Sequence, residues 1–399
     1  MTYILYISYD GMLEPLGQSQ VLAYLKRLAN GRRIHLISFE KADDWANEAE
    51  RVRLARDIAS AGIAWHPLRY HKTPSVLATA FDVMQGIIVG VWLCVRYKIK
   101  IIHARSYIPS VIALTLKKLF NVKYIFDMRG FWADERIDGG LWPKGGRIYR
   151  VAKWFEKRFL LSADSVVSLT NAAVDEMKKF DYLQGRLPNF KVITTCTDLN
   201  LFDFKKTNIN NSSKESFVLG YVGSVGVWYL FDETLNCFKL ILEKVPSAQL
   251  HIINRGGHQY IRERLIDKRI NPNNVMIETS DHAGVAKAMQ SMDVGIFFIK
   301  PVYSKMSSAP TKLGEFLGCG IPCLSNTKVG DMAVILNDEK VGVALDSFDE
   351  TSMKLGIEEL MTLLNDPEIR ERCRSTALKY FSLDIGVRSY NHIYNRLIS

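Results

Sequence analysis

The sequence predicts an α/β protein built from two doubly wound halves, each a parallel sheet flanked by helices. Three observations predict it. At 399 residues the chain exceeds what one ordinary core organises, so two domains are expected. Apolar, strand-length runs alternate with helix-length segments in both halves. One polar, aromatic-poor stretch, Lys205–Ser216, separates the two alternations and reads as a linker.

The elements follow in order. Tyr3–Ser8 reads as a buried strand, followed by a Gly11/Pro15/Gly17 loop, a helix over 19–29 and a strand over 34–39. A helix over 47–61 precedes a short strand at Trp65–Leu68. The helix over 75–98 carries the longest apolar run, Val83–Val95, which is too short to span a bilayer and reads as buried. Strands are expected at 101–104, 123–127, 164–169 and 191–194, with a helix at 109–120. The second alternation places strands at 217–222, 249–253, 275–278, 294–299 and 322–325, with helices at 232–245 and 285–292.

Composition narrows the class. Hydrophobic residues at 48% and charged residues at 24% describe a globular chain, and a net charge of +10 asks for an anionic partner. Nucleic acid, a nucleotide or an acidic membrane surface would each serve. The six cysteines are scattered without a completing histidine or second pair, so reduced, cytosolic thiols are expected and no zinc site. Met1–Ile7 enters a strand directly, with no basic start or cleavage site.

The densest motif is Ser307–Ser325, a helix with both ends marked and then a strand. Ser307 or Ser308 can cap its start, Pro310 suits the first turn, and Gly320 with Pro322 ends it. Amides at such a start, those of Ser308 to Lys312 through Thr311, favour a phosphate. Lys312 and Glu315 share a face, and Glu315 lies roughly 9 Å along the axis at about 1.5 Å per residue. A diphosphate at the start would place a ribose beside that carboxylate. A solvated Lys–Glu pair is the plain alternative.

Other loops leave strand ends. Gly17, with Gln18 beside it, permits close backbone approach near a helix start, but no dinucleotide or Walker fingerprint is present. Asp127, Arg129, Asp134 and Glu135 leave one strand together, where a carboxylate could steady developing charge; a salt bridge holding the loop is the alternative. His103 reads as a core histidine. Gly223 and Ser224 follow one strand of the second half and Arg255 the next, while Lys300, Lys305 and Lys312 gather at the marked helix. On the segment 147–161, Ile148, Val151, Ala152, Phe155 and Phe159 fall on one side; Arg147, Arg150, Lys153, Trp154, Lys157 and Arg158 form a basic second side suited to an anionic leaflet.

Together these motifs resemble the large retaining family of GT-B glycosyltransferases, the family 4-like type of bacterial polysaccharide and lipid-glycan enzymes. The likeness runs from LEPLGQSQVLAYLKRLA through IIHARS, FDMRGFWADE, SADSVVSLT, VITTCTDLNLF and GYVGS to PTKLGEFLGCGIPCLSN. It implies two Rossmann-like domains facing a cleft: 1–205 on the acceptor side, a linker at 206–216, and 217–381 binding the donor, with 382–399 crossing back to the first. It implies that Glu315 binds the donor ribose, that the preceding amides hold the diphosphate, and that no metal or other cofactor is needed. The Gly17 loop would face donor phosphate or acceptor, and the Asp127–Asp134 loop would line the acceptor region. Two departures stand out. Ser307 occupies the position of an earlier acidic residue, and Gly223–Leu230 lacks the usual Arg and Lys, leaving Arg255, Lys305 or Lys312 as substitutes.

The expected activity is transfer of a sugar from a UDP- or GDP-sugar to a glycan or lipid-linked glycan, with Asp127 and Arg129 beside the reacting centre. The expected location is the cytoplasm, at the inner membrane face, without nucleic acid. A nucleotide-sugar epimerase of the same fold and a degenerate binding scaffold are the rival readings.

Overall fold

The computed structural model describes residues 2–203 and 216–398, so positions 206–215 of the expected linker lie outside the described residues. The chain divides into two compact units, Met1–Thr194 with Leu383–Ser399, and Thr195–Ser382.

The first unit holds a parallel seven-stranded sheet: β1 (Thr2–Ser8), β2 (Arg32–Glu40), β3 (Ile63–Arg69), β4 (Ile101–Arg105), β5 (Lys123–Asp127), β6 (Ser165–Ser168) and β7 (Phe190–Val192), in the order β3-β2-β1-β4-β5-β6-β7. The second holds a parallel six-stranded sheet: β8 (Val218–Val222), β9 (Gln249–Ile253), β10 (Val275–Glu278), β11 (Val294–Ile296), β12 (Cys323–Asn326) and β13 (Gly342–Leu345), in the order β10-β9-β8-β11-β12-β13. Continuous apolar runs form these strands because both faces are covered by helices; Ile4, Leu5 and Ile7 are fully buried in β1, as are Leu250 and Ile252 in β9. In both sheets the order reverses beside the first strand, between β1 and β4 and between β8 and β11. Ligands of doubly wound sheets bind beyond the carboxyl ends at such points.

The last helix, Leu383–Ile398, belongs to the first unit and packs on the helix Ala23–Leu28 and on β4. Leu199 and Phe202 belong instead to the core of the second unit. Beyond residue 326 the chain adds the helix Met332–Asp338, β13, and the helices Glu350–Leu364 and Ile369–Tyr380, none of which the sequence reading placed.

Two helices differ from expectation. Ser75–Tyr97 is not buried: Leu77, Phe81, Met84, Ile88, Trp92 and Val95 are exposed. Its inward stripe is narrow because Gly86 and Gly90 let it approach the helix Tyr107–Phe120; a Cβ on Gly86 would stand 2.4 Å from Ile112 Cδ1. The helix Arg147–Ser162 is turned relative to the expected wheel, burying Ala152, Glu156, Phe159 and Leu160 and exposing Ile148 and Val151. The reason is a buried ion pair. Glu156 accepts from the Tyr107 hydroxyl at 2.5 Å and lies 2.5 Å from Lys153 Nζ, which also reaches Asp134 at 3.0 Å. Lys153 therefore points inward, unlike its basic neighbours.

Candidate functional site

At the carboxyl ends of β8 and β9 two glycine-rich loops face one another. The chain leaves β8 through Gly223, whose φ of +116° is one that side chains rarely adopt. Asn254, leaving β9, fastens both loops: its amide donates to the Gly223 carbonyl at 2.8 Å, and its Oδ1 accepts from the Gly256 and Gly257 amides at 3.0 and 2.5 Å. A Cβ on Gly257 would stand 2.6 Å from Val225 Cγ2, so glycine there sets the spacing.

These loops wall a cavity of about 470 Å³, with Ser280 and His282 after β10 and Glu315 completing the lining. Four residues singled out from the sequence, Gly223, Ser224, Arg255 and Glu315, thus meet in one place. Asn254, Ser280 and His282 were missed as site residues. Asn254 directly precedes Arg255; His282 carried no local signal, because its partner is 33 positions away.

Glu315 stands on the helix Thr311–Gly318, 8% exposed, with Oε1 3.4 Å from His282 Nε2. The cap differs from expectation. Pro310 is the N-cap, no side chain caps the helix, and Ser307 closes the preceding turn by donating to the Ser304 carbonyl at 2.7 Å. Proline fixes the extended-to-helical change there without needing an amide partner. Ser308, with its amide on the Lys305 carbonyl at 3.1 Å, Pro310 and Thr311 lie outside the cavity lining, as do Lys305 and Lys312.

Lys312 nevertheless borders it. Its Nζ stands 2.8 Å from where a Gly223 Cβ would be, and the residue is 7% exposed. The ammonium has no hydrogen-bond acceptor among the described residues; it lies 3.9 Å from the Tyr229 ring centre, 5.4 Å from Phe297 and 5.5 Å from Tyr221. Lys305 Nζ similarly lies 3.8 Å over Trp228. The loop after β8, which brings no Arg or Lys of its own, instead supplies the aromatic faces that hold two lysines from the chain segment before and within the Glu315 helix. Aromatic rings stabilise a cation without neutralising it, so the positive charge beside Gly223 stays available to an anion.

In the first unit the expected groupings separate. Gly17 is buried against its own loop, a Cβ there standing 2.0 Å from the Gly11 carbonyl oxygen, so its close approach is to backbone and not to a ligand. The nearby amides of Met12 and Leu13 donate to Glu40 at 2.9 and 3.2 Å. Glu40, unremarked in the sequence, takes up these two amides, and burial pushes its carboxyl up despite them and Ser38. Gln18 is half-buried at the start of the π-helical turn Gln18–Leu22.

Asp127 is 1% exposed, accepting from the Tyr390 hydroxyl at 2.8 Å and facing His103 Nε2 at 3.4 Å, while His103 Nδ1 meets the Tyr394 hydroxyl at 2.7 Å. Burial raises its carboxyl, and the charges of Arg129 and Arg105 with the His103 bond more than offset this, holding it at about 2. Asp127 therefore ties β5 to the last helix; its surroundings make it a structural anchor and not a group placed to touch substrate. Arg129, at φ +58°, lies 4.0 Å from Asp127 Oδ1. Asp134, on the short helix Trp132–Asp138, is also committed, to the Tyr149 hydroxyl at 2.8 Å and Lys153 at 3.0 Å, and Glu135 beside it is half-buried. Among the described residues no group of three or more His, Cys, Asp or Glu side chains could hold a metal ion.

A two-unit protein with matching doubly wound sheets, and a nucleotide-sized cavity beyond the first strands of the second, defines the class of GT-B enzymes. Residues 19–186 match the model of the glycosyl transferase 4-like domain, and residues 203–380 that of glycosyl transferases group 1. The chain belongs to the family 4-like GT-B glycosyltransferases. No curated protein matches it. Similar solved structures include a glycosyltransferase from Rickettsia africae, with TM-score 0.73 and 13% identity, covering 100% of this chain and 99% of that one. Sucrose-phosphate synthase from Thermosynechococcus elongatus follows at 0.71 and 14%, with 100% and 99% covered. HepE from Anabaena, solved with UDP and glucose, reaches 0.66 and 13%, with 99% and 100% covered. At such identities the likeness is one of fold.

Proposed function

We propose that the protein transfers a sugar from a nucleoside-diphosphate donor to a glycan or lipid-linked glycan in surface polysaccharide assembly, with retention at the anomeric carbon. The observation that carries this reading is the buried Lys312 ammonium, without an acceptor among the described residues, beside Gly223 and one turn from Glu315. The donor diphosphate would lie over the Gly223 backbone and take that charge. Negative charge grows on the departing diphosphate as the glycosidic bond breaks, and a pre-placed cation lowers that barrier. Glu315 would accept from the ribose hydroxyls, with His282 steadying its carboxylate. Arg255, on the opposite loop, would meet phosphate or base. UDP and glucose in HepE support a UDP-sugar as the first donor to try; retention and the acceptor class rest on the sequence resemblance.

The test is a donor panel of UDP- and GDP-sugars with lipid-linked and free glycan acceptors, with the product's anomeric configuration read by NMR. A retained linkage formed only with acceptor present supports the proposal. Inverted product, or an altered nucleotide sugar formed without acceptor, contradicts it.

A further inference from the structure

The helix Ser75–Tyr97 is long and apolar enough to cross a membrane, yet less than a third of its apolar stretch is buried. Leu77, Phe81, Met84, Ile88, Trp92 and Val95 recur at three- and four-residue steps, so they form one continuous exposed stripe opposite Gly86 and Gly90. Exposed apolar surface of this extent on a folded domain marks a site of contact.

Charge indicates what covers it. The helix Tyr107–Phe120 packs between Ser75–Tyr97 and Arg147–Ser162. Across the three helices the acids are Asp82 and Glu156, and both are 0% exposed. Asp82 is held inside by the Tyr9 hydroxyl at 2.8 Å and His71 Nδ1 at 2.6 Å, and Glu156 by Tyr107 and Lys153. The three helices thus present no carboxylate to solvent. Arg96, Lys118, Arg147, Arg150, Lys157 and Arg158 are all exposed. On the third helix Ile148, Val151 and Trp154 stand exposed among those cations, at 49%, 54% and 52%.

We infer that this three-helix face docks on an anionic lipid bilayer, the stripe of Ser75–Tyr97 entering the boundary between headgroups and acyl chains while the cations meet the lipid phosphates. Apolar burial and attraction to anionic headgroups together give interfacial anchoring that neither gives alone. The helix lies in the interface and does not cross it, since Asp82, Gly86, Gly90 and Leu93 hold its other face to the protein. The inference does not depend on the donor chemistry, as every residue it uses lies in the first unit.

The experiment is co-sedimentation of the full chain with phosphatidylglycerol–phosphatidylcholine vesicles and with pure phosphatidylcholine vesicles. The expected result is binding to the first, weakened by salt, with little binding to the second. The double variant Ile88→Gln/Trp92→Gln should lose at least about tenfold in vesicle affinity, and Arg150→Glu/Arg158→Glu a similar amount. All four positions are exposed, so circular dichroism and thermal midpoint should match the parent, and soluble-acceptor turnover should persist. Absence of parent binding to anionic vesicles overturns the inference, as does undiminished binding by the Ile88/Trp92 variant. A parent dimer in analytical ultracentrifugation that the same variant dissociates, without vesicle binding, would assign the face to a second copy and also overturn it.

Discussion

The Lys312 ammonium lies 3.9 Å from the centre of the Tyr229 ring, bracing the helix that carries Glu315 against the loop that begins at Gly223. The cation comes from the helix and the ring from the loop. A buried ammonium without an acceptor is costly to the fold; for Lys312, which has none among the described residues, the aromatic rings offset part of that cost and leave its charge for an anion.

Lys312→Met keeps the aliphatic stem and removes the charge. It should lower kcat/KM by about 10²- to 10³-fold, the range for removing one group that stabilises developing charge, and leave the thermal midpoint equal or higher. Steady-state kinetics beside a melting curve decide the matter. A lower midpoint with unchanged kcat/KM would make Lys312 a packing residue.

Gly223→Ala adds a Cβ at φ +116°, 2.8 Å from Lys312 Nζ. The backbone strain should cost about 1–3 kcal/mol, and displacement of the lysine should weaken nucleotide binding. Urea unfolding and a binding titration on one preparation separate the two effects.

Asn254→Ala removes the group that fastens Gly223 to Gly256 and Gly257. With the Gly223 carbonyl and two amides losing their partner, a loss of about 1–3 kcal/mol is expected. Amide exchange should quicken at residues 223–226 and 254–257 and not in β8 or β9 themselves.

Asp127 gives a pH signature. Its folded carboxyl is held at about 2, below the ordinary 3.8, so ionised Asp127 stabilises the fold above the ordinary value. That contribution, about 2 kcal/mol from a shift of this size, fades as pH falls from about 4 through 2. Asp127→Asn should therefore be less stable than the parent at neutral pH, with the gap closing in that acid window. Denaturant midpoints measured against pH check it, and a gap independent of pH would remove the electrostatic account.

Strand positions were legible because buried parallel strands are written as apolar runs, as in Ile4–Ile7 and Val294–Ile299. The Glu315 helix was legible because Pro310 and Gly320 bound it locally. Burial of a helix was not. Val83–Val95 is apolar enough for a core, and only the meeting of Gly86 and Gly90 with Ile112 and Leu116 shows which stripe faces inward. Charges near Asp127 were read as one cluster, yet Asp127 finds Tyr390 263 positions away and Asp134 finds Lys153 across a helix pair. Glu40, which ends β2 and holds the first loop, and Tyr229 beside Lys312 were invisible for the same reason: each acts on a residue brought near only by the sheet.

The most direct test of the account is calorimetric titration of UDP, GDP, CDP, ADP and dTDP into the parent protein and into Glu315→Ala. The account predicts one saturable site for one of these nucleotides, and a loss of at least about tenfold in its affinity on removing the carboxylate, with melting behaviour otherwise unchanged. Equal affinity in both proteins would contradict the assignment of the ribose to Glu315 and, with it, the placement of the donor in this cavity.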